Sequence, residues 1–318
     1  PGRLTDFCPL YTQEAKDSKD QESGSVISQF DKDDVEAIGL VKFDFLGLTT
    51  LTILAAAEKW IKTLHSDRRD WNIGEIPLDD QKAFEVLKNA NTVAVFQLES
   101  RGMQGMLREA KPDRFEDIIA LVALYRPGPM DLIPDFIERK HGRQKVEYPD
   151  PRIEPVLQET YGIMVYQEQV MKVCRVLSGM TPGEADGVRK AMGKKDAVKM
   201  AEYKGKFVAG AEKSGMSGHQ ADQLWETIAG FAGYGFNKSH AAAYSLISWV
   251  TMWIKVHYPA EFYAAAMTVI DKEDQLAGLV ADAQAKKLHI LPPDLNRSSC
   301  RIEIEGEDKL YAPFQSIK

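Results

Sequence analysis

The sequence lacks most of what would hold a chain together covalently or seat it in a bilayer. Its 318 residues include three cysteines, Cys8, Cys174 and Cys300, far apart and without metal-ligand spacing. That excludes a disulfide framework and fits a reducing compartment, so the expected location is cytoplasmic. No apolar run approaches the ~20 residues of a membrane span, so no membrane partner is expected. No signal peptide opens the chain. Positive charge is not in excess either. The net charge is −7, and any nucleic-acid surface must be a local basic face. Internal repeats are missing as well. What remains, 44% hydrophobic and 27% charged residues, is the composition of a soluble globular protein of one large domain or two ordinary ones. The chain starts at Pro1 and its pattern is still running at Lys318, so a piece of a longer protein is expected.

Order along the chain changes once. Thr12 to Ser25 (TQEAKDSKDQESGS) is polar and predicts a mobile loop. Leu40 to Leu46 alternates, with Val41, Phe43 and Phe45 on one face and Lys42 and Asp44 on the other. That period predicts a strand with one buried face. From Thr49 onward the apolar period is helical, in LTILAAAEKWIKTLH, DDQKAFEVLKNA, RFEDIIALVALY, VYQEQVMKVCRVLSG, KMAEYKGKFVAGAEKSG and EDQLAGLVADAQAKKL. Thr181-Pro182 reads as an N-cap followed by proline, and Gly179 and Gly215 as helix stops. HAAAYSLISWVTMWIKVHY is apolar nearly all round and predicts a buried rod ended by Pro259. RIEIEGEDKLYAPF predicts a hairpin around Gly306. The fold class expected is mainly α. A small β-containing segment over 1–49 precedes a large helical domain over 50–318, whose last part, 270–318, is a helix plus hairpin.

Four stretches could carry chemistry. GFAGYGFNKSHAAAYS, Gly230 to Ser245, resembles a phosphate-gripping loop, but Phe236 and Asn237 intervene between Gly235 and Lys238, and a helix rather than a strand precedes it. It is not a P-loop. It is a glycine turn feeding a helix whose first turn holds Asn237, Lys238, Ser239 and His240, a place that suits an anion or is simply capped. Tyr244 stands one turn from His240 on the same side, either beside a base or in the core. In ALYRPGPM the prolines around Gly128 point Arg126 in a fixed direction, toward a phosphate or into a salt bridge. Arg189, Lys190, Lys194, Lys195 and Lys199 cluster in an otherwise acidic chain, as a solvated helix end or a backbone-phosphate patch. Asp44 is either a solvated acid or one ligand of a metal pair, which needs further carboxylates. Asp31, Asp33 and Asp34 nearby have the context of a loop and helix cap and are not assigned as ligands.

VKFDFLGL, AVFQLES, ALYRPGP, YQEQVM, LSGMTPGEAD, RKAMGKK and FAGYGFNKSHAAAYS occur in this order. Together they resemble the family C replicative DNA polymerases of bacteria over almost the whole chain, from LTDF at Leu4 to LPPDLN at Leu291. The resemblance implies that residues 1–49 are the end of the palm and 50–318 the fingers. It implies a nucleotidyltransferase that extends a primer with dNTPs, with two Mg2+ held by three aspartates. The match places one of these, Asp44, as catalytic and metal ligand. The Pro-Asp-x-Asp pair that supplies the others is absent, so the isolated chain is expected to be inactive. Arg126, Arg189, Lys190, Lys194, Lys195, Lys238, His240 and Tyr244 are expected to meet nucleotide or DNA. The implied partners are primer–template DNA, dNTPs and other replisome subunits. Thr49 stands where the family commonly has a basic residue, and LYAPFQSIK lacks the usual glycine after Tyr311. The competing reading is a non-catalytic helical domain that binds nucleic acid or protein.

Overall fold

The computed structural model describes residues 2–13, 25–43, 45–194, 196–231 and 234–317. The chain divides into two compact units, Pro1–Leu48 and Thr49–Lys318.

In the first unit β1 (Leu10–Gln13) pairs antiparallel with β2 (Ser25–Ser28), Leu10 opposite Ser28. The ends of the predicted loop over Thr12–Ser25 are therefore strand. Its middle, residues 14–24, lies outside the described residues. Helix α1 (Lys32–Ala37) follows. Asp31 caps it by accepting from the backbone N–H groups of Asp33 and Asp34 at 2.8 and 2.9 Å. The helix cap expected at DKDD is found. The strand expected over Leu40–Leu46 is not found among the described residues. Alternation alone makes no strand, because backbone groups need a neighbouring edge to bond. β1 and β2 satisfy each other, and Val41, Phe43, Phe45 and Leu46 are left exposed.

The second unit is helical, in keeping with the mainly α expectation. Its helices are α2 (Thr49–Leu64), α3 (Gln81–Lys88), α4 (Arg101–Ala110), α5 (Phe115–Leu124), α6 (Ile133–Lys140), α7 (Glu154–Leu157), α8 (Gln167–Ser178), α9 (Pro182–Lys194), α10 (Ala197–Lys213), α11 (Gly218–Gly230), α12 (Lys238–His257), α13 (Pro259–Val269) and α14 (Glu273–Ala285). Their ends follow local chemistry. Gly179 takes φ +69° at the end of α8, and Thr181 and Glu184 bond reciprocally across the first turn of α9.

Two apolar cores result. One gathers α2–α5 and α12–α14 around Trp249, whose Nε1 donates to the Pro77 carbonyl at 2.8 Å. The other gathers α7–α11 around Phe207 and Trp225. Helix α12 is buried without interruption from Ser248 to Lys255, as its nearly all-apolar sequence predicts. Within it Lys255 is fully buried. Its Nζ meets Asp282 Oδ2 on α14 at 2.7 Å and the Val93 carbonyl at 2.6 Å. Pro259 ends α12 and opens α13, as proline without an N–H can.

At the C-terminal end β4 (Glu303–Glu305) and β5 (Lys309–Tyr311) form the expected antiparallel hairpin, with Gly306 at φ +68° in its turn. β3 (His289–Leu291) adds in parallel to β5. No turn next to it signals this pairing, whose partner lies some twenty residues on, so this strand was not legible in advance.

Candidate phosphate-binding site

The two cores of the second unit meet where α8 and α12 begin. Gln167 N–H donates to the Phe236 carbonyl at 2.9 Å, and Phe236 N–H to the Val165 carbonyl at 3.2 Å. This short bridge fixes Phe236, and a row of rings follows from it. Phe236 meets His240 edge-on with centroids 5.4 Å apart, His240 stacks on Tyr244 at 4.3 Å, and Tyr244 lies 5.6 Å from Phe96. The i, i+4 spacing on α12 aligns His240 with Tyr244. Phe236, His240 and Tyr244 line a cleft of about 250 Å³ with Tyr125, Gln97 and Met103.

Arg126 closes one end of the row. Its guanidinium sits 4.5 Å over the Phe236 ring, its Nε donates to the Ala123 carbonyl at 3.0 Å, and its Nη2 donates to the Tyr234 carbonyl. Burial pushes its pKa below the usual arginine value, and among the described residues no carboxylate pairs with it. A half-buried cation held by carbonyls and a ring face lacks only an anion. Gly128 shapes this loop. It takes φ +98°, and a Cβ there would stand 2.1 Å from the Tyr234 ring.

At the start of α12 the capped alternative is the one found. Asn237 caps the helix by accepting from His240 N–H at 2.7 Å. The Glu168 carboxylate takes Lys238 N–H at 3.0 Å and Asn237 Nδ2 at 2.9 Å. Lys238 Nζ reaches Glu159 at 2.6 Å and lies over the Tyr166 ring. An internal carboxylate already occupies the positive helix end, and another holds the lysine. The glycine turn itself falls partly outside the described residues at Gly233. Gly235 offers its carbonyl to Gln167 Nε2 at 3.1 Å.

Helix α9 carries the separate basic group. Asp186 bonds both Arg189 and Lys190 at 2.8 Å, and these partners, Lys190 first, hold its carboxyl below the usual range. Lys194 is exposed in the last turn of α9, and Lys199 stands 3.8 Å from Asp196. Asp44 and Lys195 lie outside the described residues. Among those residues no group of three His, Cys, Asp or Glu side chains is placed to hold a metal, and no helix is long and apolar enough to cross a membrane.

Of the predicted residues, the structure brings Arg126, His240 and Tyr244 into one row and sets Lys238 beside it at the start of the same helix. It leaves Arg189 and Lys190 on α9 paired with Asp186, and Lys194 exposed at the end of that helix. Sequence reasoning missed Phe236, Phe96, Glu159 and Glu168. Phe236 could have been found as the aromatic residue four before His240. Glu159 lies too far away in sequence to be linked to Lys238.

Family models place the chain. Residues 50–215 match the bacterial DNA polymerase III alpha subunit finger domain, and residues 1–47 match the bacterial DNA polymerase III alpha NTPase domain. The chain belongs to the bacterial DNA polymerase III alpha subunit family. Its relatives include proteins named DNA polymerase III subunit alpha from Xylella fastidiosa (48% identical over 324 residues), Escherichia coli K12 (47% over 332) and Aquifex aeolicus (48% over 320). Each alignment takes in 100% of this chain but only 27–28% of the relative, so the chain spans about a quarter of their length.

Proposed function

We propose that the chain is the end of the palm, residues 1–49, and the fingers, residues 50–318, of a replicative DNA polymerase catalytic subunit. The observation that carries this reading is Arg126. Its guanidinium is half-buried and without a carboxylate partner among the described residues, and it lies at the end of an aromatic row in a chain of this family. In the intact subunit Arg126 meets the incoming triphosphate, which neutralises a cation the fold has already desolvated. His240 supplies a hydrogen bond, and Phe236 and Tyr244 offer ring faces to the nascent base pair. Lys238 joins the anion site when the triphosphate displaces Glu159. Arg189, Lys190 and Lys194 meet the DNA backbone from α9, joined by Lys195 next in sequence, and such contacts carry no sequence information. That basic helix also favours DNA binding by the chain without catalysis.

Asp44 is the metal-binding acid in this reading. When bound, Mg2+ would activate the primer hydroxyl and stabilise the leaving pyrophosphate. One carboxylate does not complete a site for two ions, so no step is assigned to them from this chain. The test is single-nucleotide incorporation by the full-length subunit. Asp44→Ala is expected to abolish it, and Arg126→Ala to lower kcat/KM for the dNTP at least about tenfold, as loss of a charged hydrogen bond does. Primer–template affinity should stay unchanged in Arg126→Ala. Unaltered incorporation in Arg126→Ala contradicts the assignment.

A further inference from the structure

A second cavity, of about 420 Å³, opens between the two cores of the second unit. Ile153, Leu157, Ile163, Met164, Leu224 and Phe231 make its walls apolar. Its size is within the range of cavities that enclose small organic molecules. Three charged groups line it, and none is neutralised. Asp135 and Arg139 stand one turn apart on α6 yet form no ion pair. Asp131 precedes them in the short turn Pro129–Leu132. Among the described residues neither carboxylate has an ion-pair partner. Arg139 Nη1 reaches the Tyr161 carbonyl at 3.3 Å, but Arg139 Nε is buried with no acceptor. A buried N–H without a partner costs free energy, and a native fold leaves few of them.

We propose that this cavity binds a small organic molecule with a ring-sized apolar body. A hydrogen-bond acceptor on the ligand meets Arg139, and a protonated amine faces Asp131 and Asp135. The walls take the body by burying apolar surface. The acceptor meets the Arg139 guanidinium where it lines the cavity, and the exposed acids attract the cation at the mouth. The same acids disfavour a ligand with a carboxylate at that end. Gly128 and Tyr234 also line the cavity, and Tyr234 supplies the carbonyl that holds Arg126. An occupant therefore touches the loop that sets the guanidinium. The binding claim itself does not depend on what Arg126 meets.

Dansylcadaverine has the required parts: sulfonyl oxygens, a naphthalene body and a terminal ammonium. Titrated against this chain, it is expected to brighten and shift to the blue, saturating at one molecule per chain. Thr227 is an exposed lining residue on α11, and Thr227→Trp, which caps the mouth, is expected to abolish the change. Asp131→Asn/Asp135→Asn, both at exposed positions, is expected to weaken binding about fivefold, the scale of solvated charge pairs. It keeps the test alive if Thr227→Trp fails to fold. Dansylglycine, the same ring with a carboxylate, is expected to bind wild type more weakly than the amine. Three results overturn the proposal: no emission change, a change that survives Thr227→Trp, or equal affinity for the two dyes.

Discussion

At the scale of single residues, charge partners decide which cations are available. Among the described residues Arg126 has none of opposite sign, whereas Lys238 shares a 2.6 Å contact with Glu159. A triphosphate reaching Lys238 has to displace that carboxylate first. Glu159→Gln is therefore expected to tighten dNTP binding by about fivefold, the worth of a partly exposed ion pair. Equilibrium titration of wild type and variant checks this, and weaker binding in the variant would show that Glu159 positions Lys238 rather than competing for it. Asp186 plays the matching part on α9. Its carboxyl is held below its ordinary value of 3.8, chiefly by Lys190 and then by Arg189. A depressed folded value means that its stabilising contribution is full above 3.8 and is lost as pH falls through the lowered value. Asp186→Asn should lower the urea midpoint slightly at neutral pH. The gap to wild type should close as pH falls below 3.8.

At the scale of elements, the buried pair that ties α12 to α14 matters most. Lys255 is fully buried, and burial lowers its pKa although Asp282 opposes the shift. Tyr263 also donates to Asp282. Asp282→Ala leaves an ammonium in the core with carbonyls alone, and is expected to cost about 3 kcal/mol, read as a fall in the denaturation midpoint. Lys255→Met in that background should restore much of the loss.

None of this was legible in the sequence, because Lys255 sits in an apolar rod with its partner on a different helix. The rod itself was legible, as were the caps at Asp31 and Thr181, the stop at Gly179 and the turn at Gly306. Those features depend on residues within a turn of one another. What failed depended on distant neighbours. The alternation at Leu40–Leu46 does not say whether another strand lies alongside. The anion-friendly start of α12 does not reveal that Glu168 closes it. Arg126, His240 and Tyr244 were singled out from motif and charge, but the ring row that joins them needs Phe236 fixed by the bridge to α8.

At the scale of the whole molecule, the second unit is a helical body whose two cores meet near the aromatic row, and α9 packs its apolar side into the second core while Lys190 and Lys194 stay exposed. The account divides the work accordingly, with nucleotide at the row and DNA backbone at α9. Its central claim is that the Arg126 row takes the triphosphate. Calorimetric titration of this chain with a dNTP, and with the corresponding deoxynucleoside, tests that claim directly. The account predicts measurable dNTP binding that falls at least about tenfold in Arg126→Ala, with no comparable binding of the nucleoside. Binding of the dNTP that is unchanged in Arg126→Ala, or matched by the nucleoside, would contradict it.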